Sequence, residues 1–392
     1  MKNEWEKVTL GEVATISSGS TPSRSNASFW NGTIPWVTTT QIQNNIINLN
    51  DVKEFITDDG LKKSSLKIIP KGTLLMAMYG QGKTRGQVGI LNFDSTINQA
   101  CAAIGVSQKV SSLFLYQYFQ FKYENIRALS NSGGQKNLST EIIKSIEFNL
   151  PPFLEQEKIV DTLSVWDSAI EKTEKLINLE EKKMSAFAIK LFSGKTKFQT
   201  KNRRLGELLE EKFDLSTGSE EVFSVSVHKG LINQIEHLGR SFAAANTDNY
   251  NLVKFGYLVY TKSPTGDFPY GIVKQSSIKK DVIVSPLYGV YEPVMNEIGL
   301  IIEFFFESPI RCKNYLYPLI QKGAKNTISI SNQDFLKGII NFPENEKDLI
   351  KVADYIRLSK EYISLLKKQL EQYKLQKQGL MQKLLTGEWR VK

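Results

Sequence analysis

The sequence predicts an α+β protein in which two similar globular α/β units are separated by two long, antiparallel coiled-coil helices, related by a pseudo-two-fold internal repeat. Three observations carry this expectation. From Glu155 to Gly194 there is no proline, and the only glycine is the last residue. Apolar side chains recur there at every seventh position: Leu163, Ile170, Ile177, Met184 and Leu191. A second ladder, three residues on, holds Trp166 and Phe187 and is diluted by Thr173 and Glu180. That 3,4 alternation is the seam of a coiled coil. The device returns 193 residues later as Ile356, Ile363, Leu370, Lys377 and Leu384, with Ser359, Leu366, Tyr373 and Leu380 as its second ladder. Both helices meet the same stop, Phe192-Ser193-Gly194 and Leu385-Thr386-Gly387. Glycine just past a helix takes the left-handed turn that ends it.

The first 150 residues read as one mixed unit. Trp5 to Ser18 alternates and enters the turn-rich loop Gly-Ser-Thr-Pro-Ser-Arg-Ser-Asn at 19–26. Ile34-Pro35-Trp36-Val37 opens a short strand that ends in Thr38-Thr39-Thr40-Gln41. Residues 72–78 form a compact apolar strand, residues 80–86 a glycine-rich basic loop, and residues 88–93 a second strand. An aromatic helix is expected over 113–129, followed by the polar loop 132–137 and the corner Asn149-Leu150-Pro151-Pro152. Short strands bounded by glycine, with one or two helices, make a small α/β unit.

After the first long helix the order repeats. Leu205-Gly206-Glu207 echoes Leu10-Gly11-Glu12, Gly256 to Tyr260 echoes the strand led by Gly72, and Gly271-Ile272-Val273 echoes Gly89-Ile90-Leu91. The aromatic helix returns from Leu300 to Phe306 and onward to Ile320, the polar loop as Lys322 to Asn326, and the proline corner as Asn341-Phe342-Pro343. The expected boundaries are 1–150 and 197–342 for the globular units, and 151–196 and 343–392 for the helices. About 33 residues at roughly 1.5 Å each give a rod of about 50 Å. An apolar stripe of that length needs a partner, and the nearest one is its own copy. The pairing is antiparallel because the chain must return from the second unit. Lys377 within the second seam marks a place where that interface is not dry, either because the side chain snorkels or because it faces another protein.

Composition narrows the class. Fifty Lys and Arg against 41 Asp and Glu give a formal charge of +9 and a pI near 9.1, which suits a polyanionic partner. Cys101 and Cys312 sit in apolar or aromatic runs and cannot build a disulfide framework. The N-terminal sequence lacks the apolar core of a signal peptide, and no run approaches the roughly 18 apolar residues of a membrane span. A soluble, cytoplasmic protein without a membrane partner is expected.

Candidate chemistry is sparse. Gly82-Lys83-Thr84 and Gly194-Lys195-Thr196 imitate the end of a phosphate-binding loop, but Ala77 and Ile189 stand where its first glycine is required. Asn149-Leu150-Pro151-Pro152-Phe153 resembles an adenine-methyltransferase motif interrupted by Leu150; a proline corner before a helix fits better. His228 and His237 have no metal-ligand spacing with the cysteines. No catalytic centre, metal or cofactor is therefore expected on this chain.

The polar loops offer other chemistry. Lysine and arginine neutralise phosphates, while glutamine, asparagine and arginine pair with base edges. Gln81, Lys83 and Arg85 lie among glycines, as do Gln135, Lys136 and Asn137. In the second half the counterparts are Lys262, Ser263, Lys322, Lys325 and Asn326, with Tyr291 a further candidate. Ser20, Thr21 and Arg24 in the turn-rich loop, and Thr39 and Gln41 after the Ile-Pro-Trp strand, complete the set of candidate DNA contacts.

The ordered layout resembles the DNA specificity (S) subunits of type I restriction–modification systems. The residues that carry the likeness are Trp5-x-x-Val8-x-Leu10-Gly11-Glu12, Gly19-Ser20-Thr21-Pro22, Ile34-Pro35-Trp36, and Leu150-Pro151-Pro152 with Glu155-Gln156-x-x-Ile159-Val160. The two helix endings, Leu191 to Gly194 and Leu384 to Gly387, also fit. The second half lacks the Gly-Ser-Thr-Pro and Ile-Pro-Trp elements, which suggests a recognition unit of another subtype. The resemblance implies two target-recognition domains, each reading half of a bipartite double-stranded DNA target. It implies helices that act as a ruler and as a platform for two methyltransferase subunits. Those partners would bring S-adenosylmethionine and flip adenines for N6 methylation, while restriction (motor) subunits would use ATP and Mg. This chain would supply the address and not the reaction. Two other readings use the same features: a two-headed coiled-coil scaffold that binds proteins instead of DNA, and a stand-alone methyltransferase, which would require cofactor binding by the isolated chain.

Overall fold

The computed structural model describes residues 5–80, 82–129, 137–235, 247–322 and 328–391, with the side chains of 322, 328 and 329 left out. The chain divides into two compact units. The first comprises Met1–Glu174 with Gln369–Lys392, and the second Lys175–Lys368.

In the first unit, strand Glu6–Thr9 pairs antiparallel with Glu147–Leu150. The backbone N–H of Thr9 then donates to Glu12 Oε2 at 2.6 Å, closing a helical turn over Leu10–Val13. The main sheet has five strands in the order Ala14–Ser18, Cys101–Val106, Leu74–Ala77, Val88–Leu91 and Asn45–Ile47, antiparallel except for the last pair. The central strand is buried on both faces. Leu74 and Met76 point into a core with Phe114, Leu115 and Phe119 of helix Ser112–Phe121. Leu75 and Ala77 point into a second core with Val37, Ile42 and Ile47. Strictly alternating side chains bring this about. The single helix expected over 113–129 is two helices, Ser112–Phe121 and Tyr123–Ala128, broken at Lys122.

The second unit repeats this plan. Strand Thr200–Arg204 pairs with Ile339–Pro343, and the N–H of Arg204 donates to Glu207 Oε1 at 3.3 Å, as Thr9 does to Glu12. Its sheet runs Leu209–Glu211, Gly289–Pro293, Leu258–Thr261 and Ile272–Gln275, the order of the first four strands in the other unit. Helix Asn296–Phe306 takes the place of Ser112–Phe121 and buries seven of its residues. Where the first unit adds Asn45–Ile47, the second has a hairpin, Phe223–Ser226 with Gly230–Asn233, and a strand pair, Asn251–Val253 with Val282–Val284. The fold is thus α+β with a duplicated globular plan and two long helices.

Each long helix is 40 residues, Phe153–Phe192 and Glu346–Leu385, longer than the sequence pattern alone marked. Gly194 and Gly387, at φ 72 and 77, end them as expected. Within the first unit Trp166 meets the edge of Tyr373 at 5.8 Å between ring centroids, Glu174 pairs with Lys374 at 3.0 Å and Asp167 with Lys377 at 2.6 Å. Within the second, Phe187 packs on Tyr355 at 4.4 Å and Glu181 pairs with Lys367 at 2.7 Å. In both units the numbers fall on one helix as they rise on the other, so the pairing is antiparallel. Leu163, Ile177, Met184, Leu191, Ile356, Leu366, Leu370 and Leu384 are buried; Trp166, Ile170, Phe187, Ile363, Tyr373 and Leu380 are half-buried. Lys377, the misfit of the second ladder, is buried and finds its partner in Asp167 of the other helix. No described helix is long and apolar enough to cross a membrane.

Candidate nucleic-acid interface

Strand register gathers the first unit's polar loops. Ser18 lies opposite Ala102, Ala77 opposite Cys101, and Met76 opposite Val88. One end of the sheet therefore carries the loop 19–25, the turn 98–100 and the hairpin 78–87. The Asn98 N–H donates to Val37 O at 2.9 Å, which brings the turn Thr39–Gln41 to the same end. Leu138 N donates to Met78 O at 3.0 Å, so Asn137 lies beside the hairpin and joins the group, half-buried.

The loop 19–25 is braced. A Cβ on Gly19 would stand 1.9 Å from Ile97 O, so only glycine lets the loop lie this close to the turn. Trp36 Nε1 donates to Ser20 O at 3.0 Å and Trp30 Nε1 to Ser23 O at 3.1 Å. The Arg24 guanidinium lies 3.9 Å from the Trp30 ring centroid and 5.0 Å from that of Trp36. It forks onto both carboxylate oxygens of Glu54, and that hydrogen bonding raises its pKa. Arg24 thus braces the loop while its guanidinium stays charged and exposed. Thr21 donates to the side-chain oxygen of Gln99. Gln41 is buried, and its Oε1 accepts from Thr38 N at 2.9 Å, so its amide oxygen holds the turn. Thr39 stays half-exposed beside it.

On the hairpin, Lys83 is exposed and Arg85 half-buried, with Arg85 Nη2 donating to Arg127 O at 3.2 Å. Gln81, Gln135 and Lys136 lie outside the described residues. The structure brings together Ser20, Thr21, Thr39, Lys83, Arg85 and Asn137. It adds Gln99, which loop composition does not mark, because only the register of Cys101–Val106 carries that turn to the loop.

In the second unit the hairpin after Thr261 carries Ser263, exposed, and Lys262, half-buried. Burial lowers the Lys262 pKa, against the pull of Glu211. Lys322 sits in the short strand Gln321–Lys322, its side chain undescribed, and Lys325 and Asn326 lie outside the described residues. Tyr291 requires a correction. Its ring is fully buried and stacks on Phe335 at 5.0 Å, and its hydroxyl donates to Asn332 O at 3.3 Å. The inward phase of strand Gly289–Pro293 makes it a core residue and not a groove contact.

Hydroxyls, amides and a lysine on a rigid backbone can read and hold a polar polyanion. Burial pushes the Cys101 thiol up, and the Cys312 thiol up to about 12, so neither is a ready nucleophile. Among the described residues no group of three or more His, Cys, Asp or Glu is placed to hold a metal ion.

Comparison with known proteins agrees with this layout. Residues 2–181 match the family described as the type I restriction modification DNA specificity domain. The type I restriction enzyme MjaIX specificity subunit of Methanocaldococcus jannaschii is 31% identical over 192 residues, 48% of this chain and 43% of that protein. A type I restriction enzyme specificity subunit of Escherichia coli is 26% identical over 200 residues, 48% of each chain. These two matches thus span about half the length of the relatives. The MjaVIII specificity subunit of M. jannaschii is 21% identical across 99% of this chain and 94% of its own. The crystal structure of a type I restriction–modification S subunit from M. genitalium shares the fold at a TM-score of 0.61 and 17% identity, covering 98% of this chain and 97% of that one. Residues 2–181 thus carry a type I restriction modification DNA specificity domain, and the fold along the length of the chain is shared with the S subunit from M. genitalium.

Proposed function

We propose that this chain is the DNA-sequence specificity subunit of a type I restriction–modification complex. Each globular unit reads one half of a bipartite target, and the long helices set the distance between the halves. The observation that supports this best is the end of the first unit's sheet, where loops distant in sequence converge as a braced polar platform around Ser20, Thr21, Lys83 and Gln99. Lysine there supplies the salt-dependent phosphate term, and hydroxyls and amides the base-edge term. The chain itself is non-catalytic in this reading. Two methyltransferase subunits dock on it and bring S-adenosylmethionine, and restriction subunits bring ATP and Mg. The test is footprinting of the chain assembled with its methyltransferase subunits. Two protected blocks flanking an unread spacer are expected, with affinity falling steeply as salt rises. An assembled complex that protects no DNA would refute this reading and favour a protein-binding scaffold.

A further inference from the structure

We propose that Gln99, oriented by Thr21, is a specificity-determining residue of the first unit and reads an adenine in the major groove; this rests on the reading that this unit engages DNA. Gln41 is buried and holds its own turn. The Asn98 side chain accepts from Ala100 N at 3.2 Å, and Arg24 is engaged by Glu54 through both carboxylate oxygens. Gln99 is different. It is exposed at the tip of the turn between Thr96–Ile97 and Cys101–Val106. Its oxygen accepts one bond, from the Thr21 hydroxyl, and its amide nitrogen has no partner among the described residues.

The backbone beneath it is fixed from three sides. Asn98 N donates to Val37 O at 2.9 Å, Cys101 N to Asn98 O at 3.1 Å and Ser20 N to Ile97 O at 3.1 Å. Gly19, where an added Cβ would stand 1.9 Å from Ile97 O, lets the loop lie directly against this turn. An exposed amide on a rigid turn presents one donor and one acceptor side by side. That is the complement of adenine N7 and N6 in the major groove. The Thr21 hydroxyl engages the amide oxygen, which restrains the side chain so that less freedom remains to be lost on binding. Lys83, exposed on the neighbouring hairpin, is the phosphate anchor that sets the distance to the groove.

The experiment is selection of bound sequences from randomised DNA by the chain assembled with its methyltransferase subunits. Gln99→Ala should lose about ten- to a hundredfold discrimination at one A·T pair of one half-site. Every other position, the salt slope and the melting temperature should stay as in the parent. Gln99→Glu should move the preference at that pair toward cytosine, whose exocyclic amine a carboxylate accepts. Thr21→Val should weaken discrimination at the same pair and nowhere else. An unchanged sequence profile in Gln99→Ala, or an even loss of affinity across all sequences, overturns the assignment. A parent complex with no sequence preference at all overturns both the assignment and the DNA-binding reading beneath it.

Discussion

The pair Asp167 and Lys377 makes an asymmetric prediction. Lys377 occupies a seam position where its ladder otherwise holds leucine and isoleucine; its side chain is 10% exposed, while that of Asp167 is 39% exposed. Asp167 accepts from Lys377 Nζ at 2.6 Å through one oxygen and from Gln117 Nε2 at 2.6 Å through the other. Removing one partner of a fully buried pair costs roughly 3–5 kcal/mol, mostly the desolvation of the charge left behind. Asp167→Ala strands an ammonium in the seam; scaled for the carboxylate's exposure, it should cost about 2–3 kcal/mol. Lys377→Met leaves a carboxylate that water reaches and Gln117 still bonds, and it adds apolar volume to the seam. It should change stability by less than about 1 kcal/mol. For a unit of about 200 residues, each kcal/mol moves the midpoint by roughly 2–4 °C. Calorimetry should therefore show a fall of about 4–12 °C for Asp167→Ala and almost none for Lys377→Met. Equal losses, or a larger loss for Lys377→Met, would refute the claim that desolvation of the lysine governs this pair.

Other perturbations have equally defined outcomes. Glu155 accepts from Arg390 through both oxygens at 2.7 Å and from Trp5 Nε1 at 3.2 Å. Burial pushes its pKa up, but these bonds outweigh it and hold the carboxyl below its ordinary 4.5. A lowered folded-state pKa contributes stability above the unfolded value and loses it as pH falls through the folded one. Arg390→Met should thus lower stability at pH 7, and its gap to the parent in urea titrations should narrow as pH falls and the stranded Glu155 protonates. Tyr291→Phe removes one buried hydrogen bond and should cost about 1 kcal/mol by urea titration without altering the bound DNA sequence; altered sequence preference would return Tyr291 to the interface. Inserting seven residues into both long helices adds about 10 Å. It should lengthen the preferred spacer by about three base pairs at 3.4 Å each, with both half-sites unchanged in a binding selection.

The long helices were legible because their burial period is written in the sequence. Leu163 to Leu191 and Ile356 to Leu384 repeat at helical intervals, and the burial follows them. The duplication was legible for a related reason: Leu10-Gly11-Glu12 and Leu205-Gly206-Glu207 form the same first turn, each closed by its glutamate. The platform was only half visible. Loop composition marked Thr21 and Lys83, but Gln99 meets Thr21 across 78 residues, a contact that only sheet register creates. The pairing of Arg24 with Glu54, 30 residues away, is likewise invisible in loop composition. Tyr291 passes for a candidate contact in the sequence because a five-residue strand does not reveal that both of its faces are buried. The strands between 223 and 253 escaped notice for want of any counterpart in the first unit.

The central claim is that each globular unit reads its own half-site. It is tested by replacing residues 1–150 with the matching segment of a specificity subunit that has a different target, assembling the hybrid with the same methyltransferase subunits, and mapping the methylated sequence. The account predicts that one half-site changes to the donor's while the other half-site and the spacer stay as they were. A methylated sequence unchanged in both halves, or altered in both, would contradict it.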